Sequence, residues 1–215
     1  MIVNAFTKTF DGRTVLDFPG FTFLPGKIYA VIGANGSGKS TFARVLAGIL
    51  DADGGTPPVT DGSRVACMLQ RNYAFRMSAY KNILIGENDP GKAESLIQTL
   101  GLAEVARSRA KRLSGGETQK MSLARVLIGS HDAVILDEPT ASMDMESSFV
   151  SEALIRDYCR SQPAAVIMIT HSLQQAGRMA DEILYFHKGL LLEHGSAGDV
   201  LTCPQEKETQ DFIRF

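Results

Sequence analysis

The sequence predicts an α/β fold, a mostly parallel sheet with helices packed on it. Three observations carry this. Short continuous apolar runs alternate with stretches of helical periodicity, and a glycine-rich loop stands between one such run and a helical segment. Two later runs are brief, uninterrupted and bounded by polar residues, as strands buried on both faces are.

In chain order, residues 27–32 (KIYAVI) read as a buried strand, and GANGSGKS after it opens a helix with Phe42, Val45, Leu46 and Ile49 at helical spacing. Residues 51–62 are turn-rich and hold no helix, whereas 64–69 form a short strand ending at Gln70. Residues 90–100 set Leu96, Ile97 and Leu100 on one helix face, with Gly101 as C-cap, and helices dominate from about 78 to 127. Residues 133–136 (AVIL) and 164–169 (AAVIMI) are expected as central parallel strands, with a helix over 145–158 between them and a shorter one over 173–180 after. From 182 the pattern ILYFHKGLLLEHG gives two strands around a Lys188-Gly189 turn, expected at the sheet edge.

Composition bounds the function. At 215 residues, 44% hydrophobic and 21% charged, the chain has material for one core, which excludes disordered and collagen-like classes. No segment approaches the ~18 uninterrupted apolar residues of a membrane span. A net charge of −2 offers no basic excess, so nucleic acid is not expected as a partner. Cys67, Cys159 and Cys203 are scattered and odd in number, which suits a reducing cytosol, and the histidines are too dispersed to propose a metal site. Residues 1–10 show no secretory signal.

Residues 33–40 match G-x-x-x-x-G-K-[ST] in full, after a strand and before a helix. Glycines let backbone N–H groups approach phosphate oxygens, and the helix N-terminus adds partial positive charge. Lys39 is then expected to bridge the β- and γ-phosphates of ATP and Ser40 to offer its hydroxyl to Mg²⁺, with Asn35, Gly36, Ser37, Gly38 and Thr41 completing the cradle. The strand at 133–136 ends in Asp137 and Glu138, acids at the carboxyl edge of the sheet. Asp137 is the candidate for holding Mg²⁺, and Glu138 for orienting or deprotonating a water in line with the γ-phosphate. In Leu113-Ser114-Gly115-Gly116-Glu117 the residues alone leave two readings open. Ser114 and Glu117 fit a capping box, whereas the paired glycines suit an anion-binding backbone.

Taken together, the phosphate loop, LSGGETQK at 113–120, the LDEP strand end and a histidine after the next strand resemble the nucleotide-binding subunit of an ATP-binding cassette transporter, over essentially the whole chain. The resemblance implies a P-loop NTPase core with a mostly parallel sheet, an N-terminal antiparallel β region and an α-helical signature lobe. In this single domain over 1–215, residues 1–70 and 128–215 make the catalytic core with the β region, and about 71–127 the helical lobe. It also implies a head-to-tail dimer of two copies closed by ATP, in which Ser114 and Gly116 meet the γ-phosphate held by the other copy and Asp144, in a loop at 141–144, reaches across. Gln70 is implied to contact Mg²⁺ and the attacking water, and His171 to contact the γ-phosphate and orient Glu138. Phe10, chosen over Phe6, is implied to stack on adenine. The loop departs mildly from the usual pattern, with Met143 where leucine is common.

Two transmembrane permease subunits are implied to dock near residues 70–83, where Tyr73, Phe75, Met77 and Tyr80 are either a docking patch or lobe packing. The flanks resemble importer ATPases for tungstate and related oxyanions, including the phosphate branch, working with a solute-binding protein at the cytoplasmic face of the inner membrane. Only about 20 residues follow Gly195, too few for a long regulatory domain. A cell-division type interaction module or an exporter ATPase keeps the same ATP site and remains the alternative. A small-molecule phosphotransferase would need neither LSGGE nor His171, and the long insertions or tandem cassettes of DNA-repair and translation relatives do not fit in this length.

Overall fold

In the computed structural model, which describes residues 1–214, the chain begins with four strands, β1 (Ile2–Val3), β2 (Phe6–Phe10), β3 (Arg13–Phe18) and β4 (Phe21–Thr22). Strand β5 (Ile28–Ile32) leads into helix α1 (Lys39–Leu46), and β6 (Val65–Met68) precedes α2 (Ala79–Ile83), α3 (Pro90–Thr99) and α4 (Gly115–Leu127). Then come β7 (Ala133–Asp137), α5 (Met145–Ser161), β8 (Ala165–Ile169), α6 (Leu173–Met179), β9 (Glu182–His187), β10 (Leu190–Ser196), α7 (Ala197–Thr202) and α8 (Lys207–Ile213).

Eight strands form one sheet in the order β2-β3-β10-β9-β5-β8-β7-β6, and β1 pairs with β4 in a separate antiparallel ribbon. The five strands from β9 to β6 run parallel. Their side chains divide by the period of two that a strand dictates. Ile28, Ala30, Ile32, Val134, Leu136, Val166 and Met168 join the core under α3 to α6, whereas Tyr29, Val31, Ala133, Ile135, Ala165 and Ile167 join a second core with α1 and the N-terminal strands. Both faces are thus covered, which is why these strands read as unbroken apolar runs.

The hairpin β9–β10 is where the sequence expectation fails. It lies inside the sheet, because β9 pairs in parallel with β5 while β10 meets β3 through Leu190 and Asp17. The N-terminal hairpin β2–β3 supplies the outer edge instead. Ile49 also departs from expectation. The chain leaves α1 at Ala47, Gly48 takes a left-handed φ of 66°, and Ile49 stands 57% exposed rather than on the buried helix face. Gly101 does follow the C-cap of α3 with a left-handed φ of 67°. Helices α7 and α8, which no sequence signal singled out, are tied back by Glu193, whose carboxylate accepts the N–H groups of Gln205 (2.8 Å) and Glu206 (3.2 Å).

Helix α1 is anchored by an aromatic cluster. Phe42 is fully buried, with ring centroids 4.9 Å from Phe18 and 5.1 Å from Phe186. Removing that ring leaves a cavity that the parallel strands cannot close. The expected cost of Phe42→Ala is about 3–5 kcal/mol of unfolding free energy, read from the urea midpoint at unchanged slope. A loss below about 1 kcal/mol would mean that the cluster does not hold α1.

Candidate active site at the carboxyl edge of the sheet

Parallel register fixes which residues meet. Val31 of β5 pairs with Ile169 of β8, and Ile169 with Asp137 of β7; one row back, Met68 of β6 pairs with Leu136. The segments leaving these strands, carrying Gly33, His171, Glu138 and Gln70, therefore emerge along one edge, where open parallel sheets bind ligands. A cavity of about 250 Å³ lies there, lined by Asn35 to Thr41, Gln70, Asp137 and His171, with Val15 and Ile169 as apolar walls.

The phosphate loop is built by close approach. A Cβ on Gly33 would stand 2.2 Å from the Phe186 carbonyl oxygen, and Gly38, at φ 104°, passes within 3.1 Å of the Val15 carbonyl by the same measure. The β9–β10 turn braces the loop, since the N–H of Gly189 donates to Ser37 O at 3.0 Å. Its interior position thus serves the site. Lys39 is buried, its ammonium donating to the carbonyls of Gly33 (2.7 Å) and Ala34 (2.9 Å) and to Ser37 Oγ (3.3 Å). Burial lowers its pKa, and Asp137 and Glu138 oppose that shift.

Across the cavity, burial raises the pKa of Asp137, while the neighbouring Ser40 hydroxyl, the Gln70 backbone N–H and the Lys39 charge pull it down. Ser40, Gln70 and Asp137 present hard oxygen donors into one space, a set that suits Mg²⁺. Glu138 follows in the left-handed region at φ 53°. Its Oε1 accepts the backbone N–H of His171 at 3.0 Å and lies 3.4 Å from His171 Nε2. Burial pushes Glu138 up, His171 draws it down, and Asp137 pushes it up again. The His171 segment is held from beneath by a polar network: Thr170 Oγ1 donates to Gln175 Oε1 at 2.8 Å, and Gln175 Nε2 donates to Thr140 Oγ1 (2.8 Å) and Glu152 Oε1 (2.9 Å).

Five of the sequence-selected residues are not part of the cavity's lining: Glu138, which reaches it through its contact with His171, and Phe10, Ser114, Gly116 and Asp144. Phe10 ends β2, 46% exposed, with the Lys8 ammonium 5.2 Å from its ring; Val15, unremarked in the sequence, lines the wall instead. Ser114 caps α4 through the full capping box with Glu117, so that reading of the motif is satisfied in the fold. Its neighbour Gly116 lies against the loop preceding α5, where a Cβ would be 2.9 Å from Ser142 O. Asp144 N-caps α5, its carboxylate accepting the Ser147 N–H at 2.7 Å. Ser114 and Asp144 are thus exposed and Gly116 half-buried, and none of the three lines the cavity.

Besides the Thr170–Gln175–Glu152 network, sequence reasoning missed buried Gln119 and Asn82 and half-buried Arg125. Gln119 bridges α4 to the turn after β7. Arg125 donates to Tyr73 O (3.0 Å), Asn82 O (3.0 Å) and Asn82 Oδ1 (2.9 Å), and Asn82 in turn bonds Phe75 N and O and Ser78 O. Their side chains stand on α4 and α2, where only burial of an amide or guanidinium marks them. Tyr73 and Phe75 are exposed at 65% and 39%, whereas Tyr80 packs partly into the core. Beside them a groove of about 700 Å³ runs between α2 and α3, lined by Ser78, Tyr80, Lys81, Glu94, Ile97 and Arg107 among others. The thiols of half-buried Cys67 and buried Cys159 are pushed up to about 12 and about 11 by desolvation, so neither is a nucleophile at neutral pH.

Comparison with known proteins gives a consistent picture. The family model described as ABC transporter matches residues 16–141. The tungstate uptake system ATP-binding protein TupC of Peptoclostridium acidaminophilum is 37% identical over 201 residues, 87% of this chain and 94% of that one. An aliphatic sulfonates import ATP-binding protein of Streptomyces avermitilis is 35% identical over 88% of this chain and 74% of its own length. A phosphate import ATP-binding protein of Aeropyrum pernix is 30% identical, over 94% and 92%. Among solved structures, an ATP-binding subunit of an ABC transporter superposes with a TM-score of 0.82 at 19% identity, covering 99% of this chain and 93% of that one, a likeness of fold.

The opposed influences on Glu138 make its titration a test of the geometry. Its carboxyl should titrate above its ordinary 4.5, and removing the His171 ring should raise the midpoint further, because the group that favours the ionised form is gone. Carboxyl ¹³C NMR of the parent and His171→Ala proteins measures both. A midpoint unmoved by the substitution would dissolve the pair.

Proposed function

The chain belongs to the ABC transporter family and is an ATPase of that family, and from this premise we propose that it hydrolyses ATP at the cavity above the phosphate loop to power solute import through partner transmembrane subunits. The observation that carries the site assignment is the single carboxyl edge on which the phosphate loop, Gln70, Asp137, Glu138 and His171 converge.

The N–H groups of residues 35–41 bind the phosphates, and Lys39 reaches the β- and γ-oxygens from within the loop. Ser40, Gln70 and Asp137 would hold Mg²⁺, which would supply charge neutralisation for the phosphates. Glu138 orients the attacking water and takes its proton; the left-handed backbone and the His171 N–H fix where that carboxylate points. His171, 47% exposed at its side chain, stands at the cavity to meet the γ-phosphate. Adenine stacks on Phe10, the exposed last residue of β2.

Ser114, Gly116 and Asp144 complete the site of a second copy. Exposed Ser114 and Asp144, outside the cavity of their own phosphate loop, support a head-to-tail dimer closed by two ATP molecules. Capping of α4 by Ser114 is compatible, because it aims the helix N-terminus outward. The permease subunits dock at residues 70–83 and the adjoining groove, where exposed Tyr73 and Phe75 supply apolar contact. The catalytic core is residues 1–70 and 128–215, and the helical lobe about 71–127. No helix among the described residues is long and apolar enough to cross a membrane. Attachment at the cytoplasmic face is therefore through the permease pair. Cargo is an oxyanion delivered by a solute-binding protein, with tungstate the first candidate on the strength of the relative named above.

Lys39→Ala should abolish tight ATP binding, whereas Glu138→Gln should bind ATP normally and lose turnover by roughly 100-fold or more. In light scattering the Glu138→Gln protein should double its mass only with ATP. Parent-level turnover of Glu138→Gln would refute the base. For the cargo, the reconstituted transporter should hydrolyse ATP faster with its tungstate-loaded binding protein than with the unloaded one. A rate indifferent to every solute-binding protein would end the import reading.

A further inference from the structure

Gln119 is 2% exposed, yet both hydrogen bonds of its side chain run to residues outside its own helix. Its Nε2–H donates to the main-chain carbonyl oxygen of Glu138, and its Oε1 accepts the N–H of Ser142 at 2.7 Å. A carbonyl only accepts and a backbone N–H only donates, so one orientation of the amide satisfies both. These two contacts bracket the five residues that leave β7. Inside that turn Pro139 has no N–H to give, and the Ala141 N–H reaches Glu138 O only at 3.4 Å. The turn's other bonds lie further along, from the Met143 N–H to Thr140 O at 3.1 Å and from Gln175 Nε2 to Thr140 Oγ1 at 2.8 Å.

Glu138 needs holding. At φ 53° it occupies the left-handed region, which for a residue with a Cβ costs on the order of 1–2 kcal/mol. Its N–H is fixed to Ile169 O at 3.0 Å on one side, and its C=O is fixed by Gln119 on the other. With both flanking peptides pinned, the Cα–Cβ direction is set, and the carboxylate lands on the His171 N–H. The approach is tight, since the first turn of α4 passes Ser142 with no room for a side chain at Gly116.

We infer that Gln119 is a positioning residue for Glu138: the helix that begins at Ser114 clasps the turn after β7 through one buried amide, holding the base in its left-handed conformation and the Asp144 loop in register with it. This rests on the assignment of Glu138 as the base. Substitutions that keep the side chain's length separate the two halves of the clasp. Gln119→Glu keeps the acceptor for Ser142 but has no donor for Glu138 O when ionised, and Gln119→Met removes both.

The test uses the full chain and measures ATP dissociation constant, KM and kcat for parent, Gln119→Glu, Gln119→Met and Glu138→Gln, with a thermal melt of each. Both Gln119 variants should keep ATP affinity and KM within about twofold while kcat falls by roughly 10- to 100-fold, the scale expected when a reacting group is misplaced by about 1 Å. In the Glu138→Gln background, Gln119→Glu should lower the residual rate no further, because the residue it serves is already gone. If Gln119→Met does not fold, Gln119→Glu carries the measurement. Parent-level kcat in Gln119→Glu, with Glu138→Gln inactive, would overturn the inference and leave the base standing. A loss of ATP affinity matching the loss of rate would reduce Gln119 to a packing role. Parent-level turnover of Glu138→Gln would remove both.

Discussion

The register of the five parallel strands is the constraint on which the site depends. Parallel pairing places every carboxyl end on one edge, and burial of both faces fixes the register, because a slip of one residue would exchange the two cores. The phosphate loop, the acids after β7 and the histidine after β8 lie far apart in the chain. They meet because Val31, Ile169 and Asp137 share one row. The aromatic cluster on Phe42 and the β9–β10 turn serve the same end, fastening α1 and the loop to that edge.

That edge concentrates groups that resist burial individually. Lys39, Asp137 and Glu138 are each shifted toward their neutral form by desolvation, and each is partly restored by an opposite charge. Truncating one therefore alters the others, and the magnitude of any single effect belongs to the set. The strain at Glu138 has the same character. A left-handed glutamate persists only where its surroundings over-determine it, which Ile169 O, the His171 N–H and Gln119 do together.

How much of this the sequence made legible follows from range. The central strands, the phosphate loop and the capping box are local patterns, and they fold as read. The place of β9–β10 was not legible, since a hairpin announces its turn but not its outer neighbour, and here that neighbour is β3, joined at one residue pair. Ile49 kept helical spacing, but Gly48 ended the helix first. Gln119, Asn82 and Arg125 look like ordinary helix-surface residues in a string of letters; only the tertiary fold turns them inward. Val15, rather than the selected Phe10, lines the cavity wall for a similar reason: β3 turns it toward Gly38.

Helix α4 joins what would otherwise be separate functions. One end presents Ser114 outward; Gln119 grips the catalytic turn; and Arg125, six residues on, grips the carbonyls of Tyr73 and Asn82 in the segment proposed to face the permease. These contacts lie on one rigid element, so α4 cannot shift without carrying or breaking a bond to Glu138 and a bond to the docking segment. On the proposed reading, a second copy's ATP pulls at Ser114 and the permease pulls at Tyr73, and both act on the same helix. Hydrolysis and transport are then coupled through the polar bonds that α4 makes at Gln119 and Arg125.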